Sequence, residues 1–487
     1  MIIKHQKEDL LTYLEDTSNI KGNAIALYIP DNIDELRAVV GKCAGEKIPL
    51  TVAAGRTGTT AGCVPSQGII ISLERFNKIL AIDAAQNTYV QSGVTLEALD
   101  QEAARFNLKF CAASTEPLAF IGGAVSTNAS GVRGFGYGST RNYVVGLEIL
   151  LTNGKLLVIE RGQITAKSRH FDFTLAGQKF VFDLPAYNMP QVKHQAGYFV
   201  KDDMDLIDLF IGSEGTLGII TACRIKLQQI PGGVLDGLLF FESETAALNF
   251  AEAIKLLKHA GEFKPTSLEF FDAHALNFLK PYYTFIPQKG QAAIYFEHEA
   301  KDAGALDLLQ DQWAKLAGDA GVMLDPSIFA TNSGERKRIF DFRHRLPQAI
   351  GEFLRQVNQV KTAGDIAVPG NKFREMYDFY QATARKLPIP YVVFGHIGES
   401  HLHFNFLPQN DAQAAQSRQT LEIFCRKAVA LGGTISAEHG IGKIKKPYLE
   451  ILYGKKYLLQ MANIKKYFDP ACILGLDNIF AKELLGS

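Results

Sequence analysis

IGGAVSTNASGVRGFGYGSTRNYVVGLEILLTNG, residues 121–154, is the stretch on which the fold turns. Residues 121–138 are dense in glycine, serine and asparagine. Residues 144–151 then form an apolar, strand-like run that ends in the turn Thr152-Asn153-Gly154. Glycine beside a strand lets a backbone approach a ligand closely and aim N–H groups at phosphate oxygens. Two further strings flank this one. GRTGTTAG (55–62) follows a strand at residues 49–53, and GSEGTLG (212–218) lies within the ordered run 206–226. Any one string is as readily a tight turn; three in this order are harder to dismiss. No GxGxxG joins a first strand to a helix, and GxxxxGK(S/T) is absent, which argues against a parallel-sheet nucleotide fold.

Outward from these strings, the first half alternates short strands (25–29, 68–73, 88–93) with amphipathic helices ending at Cys43 and Phe106, after a helix at the N-terminus. Residues 163–205 read as a polar, irregular insertion or mobile segment. Pro231-Gly232-Gly233 is the best linker. Beyond it, strands at 237–241, 292–297 and 391–394 alternate with helices at 245–260, 303–317 and 371–385, an α+β pattern, and a helical stretch covers 448–468.

At 487 residues the chain is long enough for two or three domains. Fifty-one basic residues balance fifty-one acidic ones, so no net field draws the protein to nucleic acid. The six cysteines include no CxxC pair, which argues against a zinc ribbon or a self-contained iron–sulfur cluster. The start carries no basic-then-apolar signal, and apolar stretches such as 234–241 fall short of the roughly 18 residues a spanning helix needs. The expectation is a soluble cytoplasmic protein, with peripheral contact at the inner face of the membrane as an option.

GRTGTTAGCVP, ISLERFNKI, the 121–154 stretch and DLFIGSEGTLGIIT resemble the FAD-binding domain of vanillyl-alcohol-oxidase type flavoproteins. They are closest to the D-lactate, glycolate and D-2-hydroxyglutarate dehydrogenase branch. The resemblance implies an α+β fold without a Rossmann sheet. A two-subdomain, PCMH-type FAD-binding domain is expected over 1–230, and an α+β substrate (cap) domain with an antiparallel sheet over 231–435. A C-terminal segment, 436–487, returns to the FAD domain. It assigns Gly55, Arg56, Thr57, Gly58 and Thr59 to the pyrophosphate. Ser114, Thr115, Gly122, Gly123, Ser126, Asn128, Ser130, Gly131 and Tyr137 fall to the flavin and ribityl chain, and Ile219 to a wall. Ala54 and Arg56 replace glycines of the family's GGGTG. The loop has no histidine for covalent attachment, so non-covalent FAD is expected.

In the second half, GHIGESHLHFNF (395–406) holds His396, His401 and His403, and GGTISAEHGIG (432–442) offers Glu438 and His439. A strand from His401 places His401, His403 and Asn405 on one face. Imidazoles with a carboxylate suit zinc or another divalent ion with open positions for substrate. The family's GHxGDGNxH and GxxSxEHGxG make His396, His403 and Glu438 the implied ligands and His439 the catalytic base. Glu399, Ser400 and His401 depart from that pattern; His401 adds a ligand or contacts substrate. Arg343 in FDFRHRLP and Lys361 in VKTAGDIAVP resemble positions that bind a substrate carboxylate.

The implied reaction is oxidation of a small D-2-hydroxy acid to the 2-oxo acid by hydride transfer to flavin N5. The ion lowers the hydroxyl pKa and His439 takes the proton. Electrons leave to an external acceptor: a quinone, a cytochrome, an electron-transfer flavoprotein or an iron–sulfur subunit. The lysines at 443, 445, 446, 455, 456, 465 and 466 read as a solvated helix face, or as a dock for an acidic acceptor or an anionic membrane. The competing readings are an oxidase using oxygen, a metallohydrolase without flavin, and a non-redox flavoprotein of the alkylglycerone-phosphate synthase branch.

Overall fold

The computed structural model describes residues 1–112 and 116–486. They form two compact units, one of Met1–Gly131, Ser139–Gln229 and Ser436–Ser487, the other of Val132–Gly138 and Ile230–Ile435.

In the first unit, Asn32 caps the helix Ile33–Glu46 by accepting from the N–H groups of Asp34 and Glu35, and Leu36, Val39, Val40 and Cys43 form its buried stripe. That stripe packs on a four-stranded sheet ordered Ile2–Lys4, Ala26–Ile29, Ile69–Ser72, Leu50–Ala53. The last two pairings are parallel. Ile69–Ser72 is buried along its whole length, as a parallel strand covered on both faces must be. The chain opens on the strand Ile2–Lys4, and the helix expected there is a single turn, Lys7–Leu10. A second, antiparallel sheet runs Ile79–Ile82, Asn87–Gln91, Ile219–Lys226, Val144–Leu150, Leu156–Glu160. Leu150 and Ile219 from it, Ile71 from the first sheet and Leu474 from the C-terminal segment share one core.

Residues 163–205 are more ordered than their polarity suggests. His170–Leu175 and Gln178–Asp183 form a hairpin whose alternate phenylalanines stack, Phe171 on Phe182 at 5.1 Å and Phe173 on Phe180 at 5.0 Å. Phe182 meets Phe468 of the C-terminal helix edge-on at 5.2 Å. Tyr187 and Tyr198 are fully buried. The C-terminal lysines are not one solvated face either. Lys465 is buried, pairing with Asp469 at 2.8 Å and donating to the carbonyls of Thr216 and Leu474. The helix Lys446–Phe468 is broken at Gly454, whose φ of 75° glycine tolerates.

The second unit is built on an eight-stranded antiparallel sheet. From one edge it runs Met323–Ala330, Gly233–Phe241, Ala292–Ala300, Ser267–Phe271, Tyr391–Gly395, His401–Phe406, Thr362–Ala363, and Ile366–Ala367 also pairs with His401–Phe406. Side chains alternate across it. Ala293 and Tyr295 belong to a core shared with Phe342, Leu346 and Ile350 of the helix Ser333–Gln356. Phe296 points the other way and stacks on Trp313 of the helix Ala303–Asp319, ring centroids 3.4 Å apart. The α+β architecture with an antiparallel second sheet is therefore the one the resemblance implied.

Candidate active site

In the first unit the glycine strings converge on a cavity of about 280 Å³. Gly55, Arg56, Thr57, Gly58 and Thr59 line it from one loop, and Gly122, Gly123, Ser126 and Ser130 from the helix Ile121–Thr127 and the turn after it. Ile219, Glu438 and His439 line it as well. The glycines divide by role. Gly55 and Gly122 serve packing, since a Cβ would stand 2.6 Å from the Leu118 carbonyl and 2.3 Å from Ser92 Cβ respectively. Gly215 (φ 68°) has open space where a Cβ would be, and Gly58 only Asp16 at 3.6 Å, so a ligand can reach the backbone there. A cavity walled by glycine backbone and hydroxyls fits a flavin dinucleotide. Arg56 keeps the left-handed φ (59°) that its family glycine would favour, and its guanidinium lies 4.3 Å over the Tyr13 ring.

Asn128 (φ 47°) ends the helix and accepts from the Arg141 N–H at 2.8 Å. It stands outside the cavity lining, as does Gly131. Tyr137 belongs to the second unit, where its hydroxyl donates to Glu299. Ser114 and Thr115 lie outside the described residues.

The loop carrying Glu438 and His439 is fixed from several sides. Glu214, buried in the cavity wall, accepts from the N–H of Ile441 at 2.7 Å and of Gly442 at 2.6 Å. Burial raises its carboxyl to about 7, against the pull of those two N–H groups. The Ser436 hydroxyl donates to the Gly440 carbonyl at 2.7 Å, and Thr60 Oγ1 to the His439 carbonyl at 3.3 Å. Gly442 must be glycine, because a Cβ would fall 2.0 Å from the Thr60 carbonyl at a φ of 51°. Glu438 Oε2 accepts from Lys193 Nζ at 2.9 Å and Ser130 Oγ at 3.3 Å, and Oε1 lies 3.5 Å from His439 Nε2.

In the second unit, Gly395 (φ 122°) lets His403 lie across the strand end, where a Cβ would meet its ring at 2.8 Å. His396, His401 and His403 gather with ring centroids 4.7–5.2 Å apart. His396 Nδ1 is 2.5 Å from Glu269 Oε1, and Arg343 Nε donates to Glu269 Oε2 at 3.1 Å. Burial alone would raise the Glu269 carboxyl, but the charges of His396 and Arg343 hold it down to about 2. His401 Nε2 lies 2.8 Å from Asp365 Oδ1, both fully buried. Lys361 is set apart. It precedes Thr362, the partner of Phe406, so its backbone stands about 13 Å along the strand from His403.

Glu214, Glu269, Asp365 and Lys193 escaped the sequence reading. GSEG points to Glu214 and GDI to Asp365, but as single carboxylates in glycine turns they carry no ligand spacing. Among the described residues, no helix is long and apolar enough to cross a membrane.

Residues 24–160 match the family described as FAD binding domain, and residues 237–476 the family described as FAD linked oxidases, C-terminal domain. The glycolate oxidase subunit GlcD of Bacillus subtilis is 29% identical over 474 residues, covering 94% of this chain and 89% of that protein. A D-lactate dehydrogenase of Anaerostipes hadrus is 28% identical, with 92% and 88% covered. A D-2-hydroxyglutarate dehydrogenase of Xanthomonas citri pv. viticola is 27% identical, with 98% and 94% covered. Among solved structures, an alkyldihydroxyacetonephosphate synthase superposes with a TM-score of 0.68 at 14% identity, covering 97% of this chain and 81% of that one. At that identity the likeness is one of fold.

Proposed function

Since the chain belongs to the FAD-linked oxidoreductases of the hydroxy-acid dehydrogenase family, we propose that it oxidises a small D-2-hydroxy acid to the 2-oxo acid. Two electrons then pass to an external acceptor. When bound, non-covalent FAD supplies the hydride acceptor, and a divalent ion, zinc foremost, polarises the substrate hydroxyl.

The observation that carries the reading is the buried group in the second unit: three imidazoles beside a guanidinium and two carboxylates. A 2-hydroxy acid asks for that combination, a cation for its carboxylate and N/O donors for an ion at its hydroxyl. Arg343 is the anchor for the carboxylate, oriented by Glu269, with Lys361 as a second cation from the strand end. His439 is the base that takes the hydroxyl proton as the C–H hydride leaves. Glu214 and Thr60 hold the backbone of its loop. That one relative is named a subunit favours hand-over to a partner protein carrying the next redox centre.

An absorption spectrum of the purified protein, followed by anaerobic addition of D-lactate, glycolate and D-2-hydroxyglutarate in turn, tests the proposal. Flavin bands bleached by one of the three acids are expected. A flavin that none of them reduces would remove the substrate assignment.

A further inference from the structure

The turn and strand 396–403 depart from the family pattern at three consecutive residues, and each replacement has its own support in the second unit. Glu399 packs on Gly134, where a Cβ would lie 2.8 Å from its Oε2. Ser400 sits at a φ of 55°, and its hydroxyl accepts from Lys255 Nζ at 2.6 Å. His401, where the pattern has asparagine, faces Asp365 at 2.8 Å.

Asp365 reaches that position through strand register. Ala363 pairs with Asn405 and Ile366 with Leu402. The register is unbroken across the gap, which sets Asp365 opposite His403. Directly opposed residues of antiparallel strands share a face, and so does the residue two positions along. Asp365, His401 and His403 therefore project together, and each offers a ligand atom within 4.8 Å of the others. Ligand bonds of about 2.1 Å put neighbouring donors about 3 Å apart around one ion. The 2.8 Å between His401 and Asp365 is close to that edge, and a separation as wide as 4.8 Å closes by roughly 1–2 Å, within reach of side-chain rotation. His396 is turned to another task, its Nδ1 against Glu269, which Arg343 also holds.

We propose that the divalent ion of this chain is held in its second unit by Asp365, His401 and His403. His401 is then a metal ligand rather than a substrate contact, and His396 braces Glu269 and Arg343. Two imidazoles and one carboxylate suit zinc, cobalt(II) or manganese(II) and leave positions open for substrate oxygens. A bound cation would also offset the cost of desolvating the buried Asp365 carboxylate. This deepens the proposed function and rests on it for the use of the ion, not for the identity of its ligands.

The test is cobalt(II) titration of the chelator-stripped, intact flavoprotein, read by visible difference absorption and by metal content per chain. His401→Asn and Asp365→Asn are each expected to weaken cobalt binding by roughly 100-fold, the upper range for disturbing a metal shell. His396→Gln should keep it within about 5-fold. Parent-like affinity in His401→Asn, or loss in His396→Gln as complete as in His403→Gln, overturns the assignment. His401→Asn restores the residue of the family pattern, so it decides the matter alone should Asp365→Asn not retain flavin. No substrate enters the titration, so an enzyme that binds cobalt in this way yet is reduced by none of the three acids would lose only its proposed reaction.

Discussion

Glu214→Gln is expected to change the pH course of stability more than its size. The carboxyl is buried and raised from an ordinary 4.5 to about 7. A carboxyl whose folded pKa lies above its unfolded one binds more protons when folded, so stability is full below about pH 4.5 and is lost as pH rises through 7. Two and a half units at 1.36 kcal/mol each make that loss roughly 3 kcal/mol. Glutamine carries no titrating proton and escapes the loss. It also has one acceptor oxygen for the two N–H groups of Ile441 and Gly442, and stranding one of them costs about 1–3 kcal/mol. At pH 5 the variant should therefore be the less stable protein, and at pH 8 the two should lie close together. For a unit of this size 1 kcal/mol moves Tm by about 2–4 °C, so the Tm difference should swing by roughly 5–10 °C across that range. Thermal unfolding of flavin-depleted parent and variant from pH 5 to 8 measures it. Parallel Tm curves would refute the reasoning, because they would mean that Glu214 does not titrate in that window.

Two further expectations concern the two units separately. His439→Ala should leave a yellow, folded protein whose reduction by substrate is slowed by about 10²–10⁴, the usual worth of a general base, as read by anaerobic stopped-flow at the flavin band; unchanged reduction removes His439 from the mechanism. Trp313→Ala, at a fully buried ring stacked on Phe296 and donating to His298 at 3.2 Å, should cost about 3–5 kcal/mol in denaturant unfolding followed by circular dichroism. A loss under about 1 kcal/mol would mean that neighbouring side chains refill the space.

Much of the fold was legible because it rests on backbone demands that composition exposes. Gly58, Gly215 and Gly442 are glycine for reasons of approach and φ, and such reasons leave strings in the sequence. The cap at Asn32 likewise announces its helix, whereas the helix Asp411–Ala430, capped by Asn410, is absent from the sequence reading. The hairpin 170–183 was hidden because its alternating phenylalanines sit among polar and charged residues and its strands meet at Ala176-Gly177 rather than at an Asn-Gly turn. Ser333–Gln356 was hidden by Pro347 and by a charge-rich face, although Ile339, Phe342, Leu346 and Ile350 keep helical spacing. The lysines of the C-terminus misled for another reason: burial of Lys465 depends on Asp469 and two carbonyls that only the folded chain brings together. Asp365 belongs to the same class, since strand register and not spacing sets it opposite His403.

The first unit is made from three separate stretches, and its last, Ser436–Ser487, supplies the loop that Glu214 grips, the buried Lys465 pair and the Leu474 backbone that bridges to Leu50. On a ribosome adding about 5–20 residues per second, the roughly 200 residues of Ile230–Ile435 take about 10–40 s to emerge. For that interval the glycine strings of the first half have been translated but lack their final wall. The second unit, complete once Ile435 has emerged, is thus free to finish folding before the older half can close. A nascent chain paused near residue 435 should expose the unfinished cavity to chaperones and proteases until the segment from Ser436 onward arrives.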